Sequence, residues 1–129
     1  MDKNEYINYW RQLANEDFET AEYNFLGKRH VPGLFFLHLA IEKMLKANWV
    51  YDNLSNTPPF THDLQKIASE TELNFAAEQY DYLSVINTWN IEARYPDYKK
   101  TLFKIADESY LKHHLEKCKF ILKWLQERI

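Results

Sequence analysis

Residues 34–41, LFFLHLAI, constrain the fold more than any other stretch of this 129-residue chain. Apolar side chains fall nearly all round this run, and a helix of that kind is central and covered on most sides. It is broken by His38, closed by Glu42-Lys43, and too short to span a bilayer. The helical pattern continues, which predicts one helix from near Gly33 to about Asp52. Its polar residues His38, Glu42 and Lys46 recur every four positions, one narrow stripe on an otherwise greasy rod. The stripe has two readings: an i,i+4 pair from Glu42 to Lys46, or the wall of a cleft between helices.

A buried helix needs neighbours, and the rest of the chain supplies helices. Ile7, Trp10, Ala14, Phe18, Ala21 and Phe25 follow steps of three and four, predicting a first helix of about six turns. Lys28 and Arg29 suit its C-terminal pole, and Pro32-Gly33 closes the connection. NLSNTPPF (53–60) is a loop, since its two prolines cannot sit inside a helix. THDLQKIA (61–68) reads as a short helix capped by Thr61, with Asp63 near its positive pole. Asn74 is placed to cap the next long helix, whose buried face carries Phe75, Tyr82, Leu83, Ile86, Trp89 and Ala93. Pro96 ends it near Tyr95, because proline pushes the preceding residue out of helical geometry. A last helix, from about Asp107 to Glu127, has Leu111, Leu115, Cys118, Leu122 and Leu125 as its stripe. Only two glycines and four prolines punctuate the chain, which favours helices over short strands. The expectation is an all-α fold: one domain over residues 1–129, an up-and-down bundle of four long helices plus one short helix.

Several chemistries are disfavoured. The single cysteine, Cys118, excludes an internal disulfide, and its place on an apolar stripe makes it a structural thiol. No glutamate has a histidine three residues on, as a helical di-metal site requires, and His38 with Glu42 makes only two ligands. His113 and His114 are adjacent and point to different sides of their helix. With glycine only at 27 and 33, there is no phosphate loop or dinucleotide fingerprint. No metal or cofactor is expected. The N-terminal stretch lacks the basic and apolar regions of a signal peptide, which fits a cytoplasmic protein without membrane attachment.

Charge is unevenly placed. Residues 1–93 hold 7 Lys/Arg and 14 Asp/Glu; residues 94–129 hold 9 and 5, a change from −7 to +4 that sums to the overall −3. The basic excess begins at Arg94, beside the Tyr95-Pro96-Asp97 break. Asn87, Asn90 and Arg94 share one face at steps of three and four. Arginine presents a planar fork suited to phosphate, the asparagines add neutral donors and acceptors, and Tyr95 and Tyr98 are placed to stack on a base. A dipole contribution also accounts for a cation at a helix C-terminus, and Asp97 for a turn start or a pair with Arg94.

FFLHLAIEKMLKA (35–47), THDL (61–64) and ARYPDY (93–98), preceded by YWRQLANEDFETAEYNF (9–25), resemble in order and spacing the HEPN domain family. The resemblance covers essentially the whole chain. It implies a helical bundle, usually a homodimer, in small prokaryotic proteins often paired with a minimal nucleotidyltransferase in toxin–antitoxin-type modules. It also implies a nucleotide- or RNA-related role. Ribonuclease members carry an arginine followed a few positions on by a histidine, joined across the dimer and acting without metal. Arg94 matches that arginine, and Tyr98 lies near a tyrosine that the partner transferase modifies in some members. Where the histidine would fall stand Lys99, Lys100 and Thr101, and lysine is a poor general base at neutral pH.

The leading expectation is therefore a binding module for nucleotide or RNA. Its cleft uses Arg94 with Asn87, Asn90, Asp97 and Tyr98, a positive field from Lys99 and Lys100, and His38, Glu42 and Lys46 as a second wall. The alternatives are a divergent metal-independent endoribonuclease with Arg94 as its catalytic cation, and an interaction protein with a vestigial ligand site.

Overall fold

The computed structural model describes every residue except Tyr98 and Lys99, so the parts of the expected cleft assigned to those two lie outside the described residues. Among the described residues six helices are formed: α1 (Lys3–Leu26), α2 (His30–Asp52), α3 (Leu64–Ser69), α4 (Ala77–Arg94), α5 (Thr101–Ile105) and α6 (Glu108–Gln126). Four are long and two short, and no strand occurs among the described residues.

Side-chain contacts fix the directions. Lys3, at the start of α1, donates to the carbonyls of Val50 (2.8 Å) and Asn53 (2.7 Å) at the end of α2, so these helices run antiparallel. Gly33 packs on Leu111 early in α6, and Asn48 Nδ2 donates to Leu125 O (2.9 Å) late in it, so α2 and α6 run parallel. Early in α4, Tyr82 meets His114; late in α4, Trp89 meets Tyr110, which makes α4 antiparallel to α6. The four long helices thus alternate up and down along the chain, as expected. No helix among the described residues is long and apolar enough to cross a membrane.

α2 is the central rod. Fifteen of its 23 residues are buried, including Leu34, Leu37, Ile41, Met44, Leu45 and Val50. It begins three residues earlier than the periodicity placed it. Pro32 lies inside the first turn, where a missing N–H breaks no intrahelical bond. The reversal before it is made by Lys28, which takes a left-handed φ of 59°, with Arg29 N donating to Asn24 O at 2.7 Å. Gly33 is needed for packing: a Cβ there would lie 2.7 Å from Leu111 Cδ2, so α2 and α6 approach at a residue without a side chain.

Other ends differ from expectation in instructive ways. The cap of α3 is Asp63, whose Oδ1 accepts from Gln65 N (3.1 Å) and Lys66 N (3.4 Å); Thr61 Oγ1 instead accepts from Asp63 N (3.1 Å). α4 starts at Ala77, not behind Asn74, and its opening turn is closed by Gln79 Oε1 accepting from Ala76 N (3.1 Å). α4 stops at Arg94, one residue before Tyr95-Pro96. Asp97 then accepts from Thr101 N and Oγ1, both at 3.0 Å, and orders α5, a helix of five residues that was not expected.

Candidate functional site

The polar stripe of α2 points into the protein. His38, Glu42 and Lys46 are 0%, 4% and 8% exposed, which for charged and polar groups demands partners. Glu42 Oε2 accepts from Lys46 Nζ at 3.1 Å, the i,i+4 pair. Its other oxygen leaves the helix and accepts from His62 Nδ1 at 2.7 Å. The i,i+4 pair is formed, and the same carboxylate also holds the loop before α3.

His38 links the same loop to α4. Its Nε2 donates to the His62 carbonyl at 2.9 Å. A carbonyl only accepts, so the neutral imidazole carries its lone pair on Nδ1, which accepts from Asn90 Nδ2 at 3.3 Å. Asn90 Oδ1 in turn faces Arg94 Nη1 at 3.5 Å, the longest contact of the series. Burial lowers the pKa of His38, and the opposing effect of the Glu42 carboxylate does not overcome it. A line of hydrogen bonds thus runs from Lys46 and Glu42 through His62, His38 and Asn90 to Arg94.

Asn87, one turn before, locks α3 in place. Its Oδ1 accepts from Leu64 N (3.0 Å), and its Nδ2 donates to Asp63 Oδ1 (3.1 Å). Between these elements opens a cavity of about 420 Å³ lined by Thr61, His62, Asp63, Gln65, Asn87, Asn90 and Ile91. Asn87 and Asn90 line it directly. His38, Glu42 and Lys46 stand behind it as support; Lys46 also covers the Trp10 ring at 5.3 Å. Arg94 is exposed at the next turn of α4, its guanidinium 5.8 Å from the Tyr95 ring and without an ion-pair partner among the described residues. Asp97 and Lys100 lie exposed on the loop beyond, and neither lines the cavity.

His62 and Asp63 are the residues that sequence reasoning missed as site members. The histidine sits in the quoted THDL motif, but its partner Glu42 is 20 positions away and on another element. Elsewhere the polar interior is structural. The Tyr82 hydroxyl and His114 Nδ1 share a hydrogen bond of 2.5 Å beneath a stack of aromatic rings, and burial pushes the neighbouring Cys118 thiol up to about 12. Among the described residues no three His, Cys, Asp or Glu side chains cluster as a metal site would need.

A family model described as "HEPN domain" matches residues 7–129, nearly the full length of the chain. Comparison with curated proteins and with solved structures gives no match.

Proposed function

The chain belongs to the HEPN domain family, whose members support a nucleotide- or RNA-related role, and from this we propose that it binds a nucleotide or RNA at the cleft between α3 and α4. The observation that carries this reading is the hydrogen-bonded line ending on Arg94. An exposed guanidinium without a carboxylate partner among the described residues stands one turn from a polar cavity whose walls are held from behind by buried groups. Such a cation is available to a phosphate, for which its planar fork is suited. The lysines that follow Arg94 in the chain add a positive field to an otherwise acidic protein.

The reading includes a homodimer in the cytoplasm, paired with a nucleotidyltransferase as one half of a toxin–antitoxin-type module. The homodimer is supported by the outer face of α4 and its C-terminal cap, where Val85, Ile91 and Tyr95 are exposed and Ile91 also lines the cavity. A second copy on this face would cover apolar surface and close the cleft.

The test is thermal unfolding with and without ATP or GTP. Ligand is expected to raise the melting temperature of the natural chain, as any ligand bound only by the native state does. Arg94→Ala is expected to remove the shift. Unchanged melting across the common nucleotides and short RNAs would refute the reading.

A further inference from the structure

The cavity beside Arg94 is poorly suited to the phosphate itself. Its seven lining residues include no lysine or arginine and one carboxylate, Asp63. The polarity of its free groups points to a different part of a ligand.

A carboxylate only accepts hydrogen bonds, so His62 donates from Nδ1 to Glu42, which leaves Nε2 as the ring's other polar atom. The His62 side chain is 55% exposed, and Nε2 has no partner among the described residues. Asp63 is arranged in the same sense. Its Oδ1 is committed to Gln65 N, Lys66 N and Asn87 Nδ2, which leaves Oδ2 as an acceptor without a partner among the described residues. Both side chains are held from behind, one by the buried Glu42–Lys46 pair and one by Asn87 and the first turn of α3. Two fixed polar side chains on consecutive residues match a ligand group carrying two adjacent hydroxyls, each of which both donates and accepts. Arg94 Nη1 lies 3.5 Å from Oδ1 of Asn90, a residue that lines the cavity, which puts the cation beside it.

We propose that this cavity is a ribose subsite in which His62 and Asp63 receive the two hydroxyls of a vicinal diol while Arg94 holds the phosphate, so that the protein selects ribonucleotides over their deoxy counterparts. The proposal rests on the nucleotide-binding reading and names the part of the ligand that the cavity recognises. A site that hydrogen-bonds a hydroxyl discriminates strongly against the analogue that lacks it, because its own polar group is left unpaired.

Titration calorimetry on the full chain with ATP, 2′-deoxy-ATP and 3′-deoxy-ATP tests it. Removal of either hydroxyl is expected to weaken binding by about tenfold. In His62→Phe, and in Asp63→Asn, which keeps a capping side chain, the ratio of ATP to 2′-deoxy-ATP affinity should fall toward one. Arg94→Ala should weaken both ligands together and preserve the ratio. A short RNA with a free 3′-terminal diol, compared with the same RNA bearing a 3′-phosphate, separates the sources of the diol. Preference for the free end would support the subsite and identify an RNA terminus as its occupant; preference confined to ATP would support it and identify a free nucleotide. Equal affinity for ATP and 2′-deoxy-ATP in the natural chain would overturn the ribose subsite and leave nucleotide binding standing. Failure of every nucleotide and RNA to bind would overturn both.

Discussion

Acidification from pH 7.5 to 5.0 should destabilise this protein through His114, by an amount that the structure allows to be worked out. The ring is 8% exposed, stacked on Tyr82 at 5.7 Å and packed against Trp89 at 4.9 Å and Tyr110 at 4.3 Å. Burial is the main reason its pKa falls from 6.5 to about 4, with His113 and Lys117 pushing the same way. The Tyr82 hydroxyl is hydrogen-bonded to Nδ1 and fixes the ring in this packing. The unfolded chain therefore takes up a proton as pH falls through 6.5, and the native chain holds out until about 4. Stability is fully present above 6.5 and is lost as pH drops through that window. At pH 5.0 the difference in proton uptake amounts to about 2 kcal/mol, growing toward about 3 kcal/mol below pH 4. Buried His38, whose pKa is also lowered, adds to the loss in the same direction. Urea unfolding at the two pH values, on the natural chain and on His114→Gln, measures the effect. The natural chain should lose about 2 kcal/mol more than the variant between pH 7.5 and 5.0. Parallel pH profiles for the two proteins would refute the reasoning.

Two further substitutions test the packing that supports the cleft. Glu42→Ala leaves the Lys46 ammonium buried without its partner and should cost about 3 kcal/mol in urea unfolding, with much of the loss recovered in the Glu42→Ala/Lys46→Leu double variant. Gly33→Ala places a methyl group 2.7 Å from Leu111 Cδ2. That crowding, about 1–3 kcal/mol, should outweigh the helix propensity gained, about 1 kcal/mol, and lower the melting temperature.

The large features of the bundle were readable because they rest on long periodic patterns. The apolar run at 34–41 forces α2 to the centre, and the stripe from Leu111 to Leu125 places α6 within a residue of its observed ends. Pro96 marks the end of α4 by geometry alone. Short elements escaped: α5 has five residues, too few for a period to show, and depends on Asp97 reaching Thr101. The starts of α2 and α4 were displaced because Pro32 fits a first turn and because Gln79 closes α4 from inside it.

The cleft was legible only on its helical walls. Asn87, Asn90 and Arg94 share a face that spacing reveals, whereas the contact between His38 and Asn90 spans 52 positions. His62 lies on an aperiodic segment, so nothing local distinguishes it from a surface residue before the helix. Its role comes from Glu42, a carboxylate that the sequence paired with Lys46 and that the fold shares between donors on two elements, Lys46 and His62.

The central claim is that ligand enters the cleft formed by α3, α4 and the loop before α3. Side-chain amide and imidazole resonances report on it directly, since Asn87 and Asn90 line the cavity and His62 borders it. Titration of isotopically labelled protein with ATP, followed by nuclear magnetic resonance, should shift the Asn87, Asn90 and His62 side-chain signals together with Arg94, and leave those of Asn15 and His113 in place. Shifts confined to other surfaces, or none at saturating nucleotide, would contradict the account.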